Sequence, residues 1–108
     1  MTINLPKLIG HRGVRGLAPE NTIQSIKKAI ELNIKWVEID VKISKDHIPF
    51  LLHDSSLERT TSGNGNPLNY KYSELYKLDA GSWFDKKYKN LYPPTLKEAL
   101  DLSSQKNI

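Results

Sequence analysis

The stretch Lys35-Trp36-Val37-Glu38-Ile39-Asp40-Val41-Lys42-Ile43-Ser44-Lys45-Asp46-His47-Ile48-Pro49-Phe50-Leu51-Leu52-His53-Asp54 decides how the rest of the chain is read. Its first half alternates: Val37, Ile39 and Val41 fall on one face of an extended segment, and Trp36, Glu38, Asp40 and Lys42 on the other. Two carboxylates thus stand side by side, where like charges repel unless a cation or a shared proton compensates them. A second apolar run, Ile48 to Leu52, follows the short break Ser44 to His47 and ends in His53. Parallel strands need a crossover of roughly a dozen residues or more, so a break this short predicts an antiparallel hairpin over 35–53. With the turn centred near Asp46, Glu38 lies about opposite His53, and opposed residues share a face. Glu38, Asp40 and His53 are therefore expected on one patch.

Upstream, Lys7 to Gly10 reads as a short strand running directly into His11-Arg12-Gly13. Gly10, Gly13 and Gly16 permit tight turns beyond it, and Pro19 closes the loop. Their spacing is not a dinucleotide fingerprint, and loop punctuation and phosphate cradling stand as equal readings. Asn21 is the expected N-cap of a helix, with Gln24 as its capping-box-like partner. Ile23, Ile26, Ala29 and Ile30 form an apolar stripe at helical spacing, with Lys27, Lys28 and Glu31 on the wet side. The helix should run to about Leu32 and end at a left-handed Asn33. Strand, helix, strand is a βαβ unit, which points to an α/β sheet or barrel.

Downstream, Asp54 to Tyr72 is rich in Ser, Thr, Gly and Asn and reads as an ordered or semi-ordered loop. Ser73 is the expected cap of a short helix through Leu78. Trp83 and Phe84 are expected to anchor the following loop to the core rather than to stack on a ligand. After Pro93-Pro94, Thr95 and Glu98 form a capping box, and Leu96, Ala99 and Leu100 give the last helix its buried stripe.

The composition narrows the function classes. The 108 residues hold no cysteine, which excludes disulfides and thiolate metal sites. The formal charge of +4 comes from scattered lysines, with arginines only at 12, 15 and 59; this reads as a solvated surface and not a nucleic-acid footprint. The first ten residues lack the pattern of a signal peptide, and no run is long enough to span a bilayer, so the cytoplasm is the expected compartment.

His11, Arg12, Glu38, Asp40 and His53 are the candidate site. In α/β proteins function gathers at strand C-terminal ends, where His11 and Arg12 fall. The oxygen pair Glu38 and Asp40 suits Mg²⁺ or Ca²⁺ better than zinc. Two histidines, a divalent cation and an arginine have the makings of phosphoryl chemistry: the cation and guanidinium neutralise the phosphate, one imidazole takes a proton and the other gives one. The competing reading pairs Glu38 and Asp40 with Lys42 and Arg12 on a solvated strand face and buries His53 in the core. His47, beside Asp46 at the turn, reads as a surface residue.

At these residues the chain resembles the glycerophosphodiester phosphodiesterase family. The resemblance rests on His-Arg-Gly at 11–13, Pro-Glu-Asn-Thr at 19–22, Glu-Ile-Asp-Val at 38–41, His-Asp at 53–54, Arg-Thr-Thr at 59–61, Leu-Asp-Ala-Gly-Ser-Trp-Phe at 78–84 and Pro-Thr-Leu at 94–96, in order along almost the whole chain. It implies the N-terminal part of a TIM-type (β/α) barrel, with residues 55–92 as a region inserted beside the active site. It further implies His11 and His53 as the acid and base pair, Arg12 on the phosphate, and Glu38 and Asp40 on a divalent metal, Mg²⁺ or Ca²⁺. Family members hydrolyse small glycerophosphodiesters to glycerol 3-phosphate and an alcohol through a cyclic phosphate. Two departures stand out: the hairpin turn usually carries glycine where this chain has His47, and the family barrel takes about 250 residues. The third acidic metal ligand is expected on a strand beyond Ile108. An open part-barrel would expose edges and apolar faces and favour self-association. The alternatives are a phospholipase D-like enzyme of the sphingomyelinase D type, which shares the two-histidine, two-carboxylate plan, and a non-catalytic binding module or fragment.

Overall fold

The computed structural model describes residues 7–108; residues 1–6, within the stretch read above for a signal peptide, lie outside the described residues. Strand β1 (Gly10–His11) pairs in parallel with β2 (Val37–Glu38), Gly10 opposite Val37 and His11 opposite Glu38. Helix α1 (Ile23–Glu31) makes the crossover between them, so the βαβ unit forms as expected. The first strand lies later than the Lys7–Gly10 reading placed it. His11 is its last residue, and Arg12 is the first residue past its end.

Helix α1 starts from a different cap than the sequence predicts. Thr22, not Asn21, is the N-cap: it accepts the Ser25 N–H at 3.1 Å and donates its hydroxyl to the Pro19 carbonyl at 2.6 Å. Asn21 has a left-handed backbone (φ 55°), which removes it from the capping position and frees its amide for a partner outside the helix. The C-terminus follows expectation, with Asn33 at φ 60°. The Ile34 N–H reaches the Ala29 carbonyl at 2.9 Å and the Asn33 N–H the Ile30 carbonyl at 3.0 Å, which satisfies two of the last carbonyls in a Schellman arrangement.

The hairpin also forms, but in altered register. Strands β3 (Val41–Ile43) and β4 (Pro49–Leu51) are antiparallel, with Val41 opposite Leu51, Lys42 opposite Phe50 and Ile43 opposite Pro49. The turn centres near Asp46 as expected, with His47 at φ 64° and its N–H on the Ser44 carbonyl at 3.0 Å. The single strand expected from residue 35 is instead two elements. β2 belongs to the pair with β1, the Asp40 N–H is taken by the Asn21 side chain at 3.1 Å, and pairing with β4 begins only at Val41. Continued beyond Val41, the observed register sets Leu52 against Asp40, whose carbonyl accepts the Leu52 N–H at 3.1 Å, so Glu38 is not the partner of His53. With the strand broken at Asp40, the apolar alternation does not carry through, and Val41 and Ile43 stand exposed.

Strand β4 is buried on both faces because successive side chains point to opposite sides. Phe50 and Leu52 pack on Leu57 and Leu75, whereas Leu51 packs on Ile26 of α1 and Ala99 of the last helix, α3 (Leu96–Gln105). Each such fully buried Leu, Ile or Phe contributes about 1.5–3 kcal/mol. The α3 capping box is present: Thr95 Oγ1 accepts the Glu98 N–H at 3.1 Å and Glu98 Oε1 the Thr95 N–H at 3.2 Å. Its stripe is Leu96, Ala99 and Leu102; Leu100, expected inside, is 54% exposed.

Residues 54–92 carry little regular structure: helix α2 (Tyr72–Leu75) and 3-10 turns at Pro67–Asn69 and Lys86–Tyr88. Helix α2 starts before Ser73, with Lys71 as N-cap and the Glu74 carboxylate on the Lys71 N–H at 3.1 Å, and single turns continue to Leu78. Side chains hold the loop in place of a ladder. Asp79 accepts the N–H groups of Gly81 and Ser82, each at 2.9 Å, and of Asn90 at 3.1 Å. Burial raises the Asp79 pKa, but these bonds and that from the Ser82 hydroxyl outweigh it and pull the carboxyl far below its usual range. No helix among the described residues is long and apolar enough to cross a membrane.

Candidate active site

The site begins where β1 ends. The parallel register sets His11 beside Glu38, and their side chains approach to 3.7 Å between Nε2 and Oε1. The next two residues, Arg12 at φ 55° and Gly13 at φ 80°, are both left-handed and turn the chain sharply. That turn is held from α1: the Arg12 carbonyl accepts the Asn21 N–H at 2.8 Å and the Ser25 hydroxyl at 3.0 Å, and Ser25 Oγ accepts the Val14 N–H at 2.6 Å. Glu38 Oε1 takes the Arg12 N–H at 3.2 Å.

The Arg12 side chain, 12% exposed, folds inward. Its Nη1 donates to Glu20 Oε2 at 3.1 Å, and its Nε lies 3.6 Å from Asp40 Oδ2. That Nε is shut off from solvent without a hydrogen-bond partner among the described residues. The Asp40 carboxylate faces its charge at 3.6 Å, beyond hydrogen-bond distance. Asp40 is fixed by Asn21, whose Nδ2 donates to Oδ2 at 3.1 Å and whose Oδ1 accepts the Asp40 N–H.

His53 comes from the far end of β4. Its Nδ1 contacts Asp54 Oδ1 at 2.8 Å, and Lys42 Nζ donates to its carbonyl at 2.8 Å. Arg59 donates to Asp54 through Nε at 2.8 Å and Nη2 at 3.0 Å, and reaches Glu20 through Nη1 at 3.1 Å and Nη2 at 2.9 Å. The Arg59 hydrogen bond, then that of His53, holds the Asp54 carboxyl well below the usual range, and the same bonds to Asp54 and Glu20 raise Arg59.

The competing reading of a purely solvated strand face is half right at most. Arg12 does approach Asp40, but Lys42 engages the carbonyls of Leu52 and His53, and the His53 side chain is 42% exposed rather than buried in the core. The five residues singled out in sequence are joined, partly through one another and partly through residues left off that roster. Glu38 links His11 to Arg12, and Glu20, Arg59 and Asp54 link Arg12 to His53. The sequence signal for this second group was their place in the motifs Pro-Glu-Asn-Thr at 19–22, His-Asp at 53–54 and Arg-Thr-Thr at 59–61, which carried no role for their side chains. Trp83 also departs from expectation: it is 38% exposed, donates Nε1 to the Ala80 carbonyl at 2.9 Å, and lies with its ring 6.0 Å from the Arg59 guanidinium carbon.

The donor chemistry at Glu38 and Asp40 fits a hard divalent cation. Both ligands are carboxylates, and neither Glu38 Oε2 nor Asp40 Oδ1 receives a hydrogen bond among the described residues. No group of three metal-competent side chains is assembled among the described residues. The crevice behind His53, lined by Glu20, Asn21, Leu52 and Thr60, encloses about 10 Å³, room for roughly one water.

A βαβ start, with charged side chains gathered at and beyond strand ends, places the chain among the α/β proteins. The sequence matches the glycerophosphoryl diester phosphodiesterase family over residues 11–108. It is similar to a glycerophosphodiester phosphodiesterase of Caldanaerobacter subterraneus subsp. tengcongensis, 39% identical over 100 residues that cover 93% of this chain and 41% of that one. Among solved structures, a phosphodiesterase of Oleispira antarctica in complex with the product sn-glycerol-3-phosphate superposes with a TM-score of 0.91 at 49% identity, covering 94% of this chain and 41% of that one. The glycerophosphodiester phosphodiesterase of Agrobacterium tumefaciens str. C58 gives 0.90 at 35% identity, covering 94% and 44%. The chain belongs to the glycerophosphoryl diester phosphodiesterase family, and its fold is the N-terminal part of a TIM-type barrel. It spans 41–44% of the length of these relatives.

Proposed function

We propose that this chain carries the catalytic centre of an enzyme that hydrolyses glycerophosphodiesters to glycerol 3-phosphate and an alcohol. The observation that carries this reading is the contrast between the two arginines. Arg59 commits all three nitrogens to Glu20 and Asp54, whereas Arg12 commits only Nη1 to a hydrogen bond among the described residues and leaves Nη2 without one. Arg12 is therefore the guanidinium with donors to spare for a phosphate oxygen, and it sits one residue past His11. The family membership, and a relative solved with sn-glycerol-3-phosphate, support the same substrate class over the phospholipase D-like alternative.

In this reading one of His11 and His53 takes the proton from the glycerol hydroxyl beside the phosphate. That oxygen bonds to phosphorus, the bond to the alcohol oxygen breaks, and the other histidine gives its proton to the departing alcohol. The product of this step is a cyclic phosphate. Water then opens the ring with the roles reversed: the histidine that gave its proton accepts one from water, and the other returns its proton to the glycerol oxygen. Glu38 and Asp40 would hold Mg²⁺ or Ca²⁺, which when bound supplies positive charge against the phosphoryl oxygens. His53 presents Nε2 to the substrate because Nδ1 is engaged by Asp54.

The test is release of sn-glycerol 3-phosphate from glycerophosphocholine by the protein carrying this chain. His11→Ala, His53→Ala and chelation of divalent cations are each expected to lower the rate by about 10² or more. Unchanged turnover after these treatments would refute the assignment.

A further inference from the structure

We propose that Glu20 is a positioning residue for this site, one buried carboxylate that sets Arg12 directly and, through Arg59 and Asp54, the imidazole of His53. The inference rests on the roles proposed above for Arg12 and His53. The Glu20 side chain is 5% exposed, and its two oxygens receive three guanidinium hydrogen bonds. Oε1 takes Arg59 Nη1, and Oε2 is shared by Arg59 Nη2 at 2.9 Å and Arg12 Nη1 at 3.1 Å. A carboxylate this buried persists only when paired and hydrogen-bonded. A two-pronged contact to a planar guanidinium fixes orientation as well as position.

The restraint is passed on. Arg59, held at one edge by Glu20, grips Asp54 through Nε and Nη2, and Asp54 Oδ1 receives His53 Nδ1 at 2.8 Å. That last contact leaves Nε2 as the free ring nitrogen. Glu20 therefore sits between the group that would bind phosphate and the group that would move protons, and a shift in it displaces both.

A carboxylate that only neutralised charge would behave differently. Removing its charge would raise the local positive potential and tighten anion binding. Loosening the two guanidinium groups does the reverse, so the two roles predict opposite signs.

The experiment compares Glu20→Gln with the unaltered protein carrying this chain by two measurements. The first is the pair of ring-nitrogen chemical shifts of His53 at about pH 8, where an unperturbed imidazole is neutral. The second is titration with sn-glycerol 3-phosphate. The unaltered chain is expected to show one tautomer, protonated at Nδ1, and Glu20→Gln a mixture. Binding is expected to weaken about tenfold, the worth of one charge-assisted hydrogen bond. An unchanged tautomer or tighter binding overturns the proposal. Should Glu20→Gln fail to fold, Arg59→Lys, which keeps the charge but loses the planar fork, is expected to release the same tautomer mixture. A folded Arg59→Lys with a single Nδ1–H tautomer overturns the proposal equally. The tautomer is read without turnover, so failure to hydrolyse glycerophosphodiesters counts against the proposed function and leaves the role of Glu20 to be decided separately.

Discussion

The side-chain amide of Asn21 pairs twice with Asp40: Nδ2 donates to Oδ2 at 3.1 Å, and Oδ1 accepts the Asp40 N–H at 3.1 Å. One carboxylate of the candidate metal pair is thereby oriented by a residue at the foot of α1, and the break between β2 and β3 gains a partner for its backbone.

Asn21→Ala removes that partner and leaves the Asp40 N–H unpaired in a part-buried position. A loss of about 1–3 kcal/mol is expected in urea denaturation. Calorimetric titration with Mg²⁺ should show affinity lower by roughly 10–100-fold, the usual effect of losing a group that orients a ligand. Thr22→Ala, which removes the true helix cap, should cost about 1 kcal/mol and leave the cation titration as it was. Equal Mg²⁺ affinity in Asn21→Ala would show that the amide does not orient Asp40.

Stability should fall in acid through Asp54. Its folded pKa is depressed by the Arg59 hydrogen bond and then by His53, so across that range the unfolded state binds more protons. The contribution is fully present above the unfolded carboxyl value, about 3.9, and is lost as the pH drops through the folded value. Asp54→Asn is expected to flatten this part of the curve of urea midpoint against pH. Asp79, depressed as well, keeps some slope in the variant. Identical curves for the two proteins would contradict the linkage.

His47→Gly should stabilise the chain. His47 holds φ at 64°, where a Cβ is strained and glycine is not. The hairpin geometry is otherwise kept, and a gain of about 0.5–1 kcal/mol in urea denaturation is expected. A loss would mean that the His47 side chain contributes more than the strain removes.

Gly13→Ala should damage stability and site together. Gly13 has φ 80°, and an added Cβ would lie 2.2 Å from Ser25 Oγ and 2.9 Å from the Ser25 carbonyl carbon, on the side that anchors the Arg12 carbonyl. A cost of about 1–3 kcal/mol is expected, with weaker sn-glycerol 3-phosphate binding as Arg12 shifts. Wild-type binding in the folded variant would show that this turn does not place Arg12.

Much of the architecture was legible because it is local. The helical stripe of α1, the Asn33 terminus, the short hairpin turn and the Thr95–Glu98 capping box each depend on residues a few positions apart. The misread details are those decided at a distance. Asn21 left the cap because Asp40 claimed its amide, Leu100 turned outward because Leu102 faces the packing of β4 and α1, and the strand expected through Asp40 broke because β1 and β4 each claimed one end of it.

Periodicity, turn chemistry and ordered motifs are properties of the chain alone, and they were enough for the βαβ start, the family and the five polar residues to watch. How those five residues are connected emerges only on folding. Glu20 and Arg59 lie 39 positions apart, and no spacing rule pairs them. They meet because a buried carboxylate must find its counter-charge wherever packing brings one, and that choice is made by the folded chain.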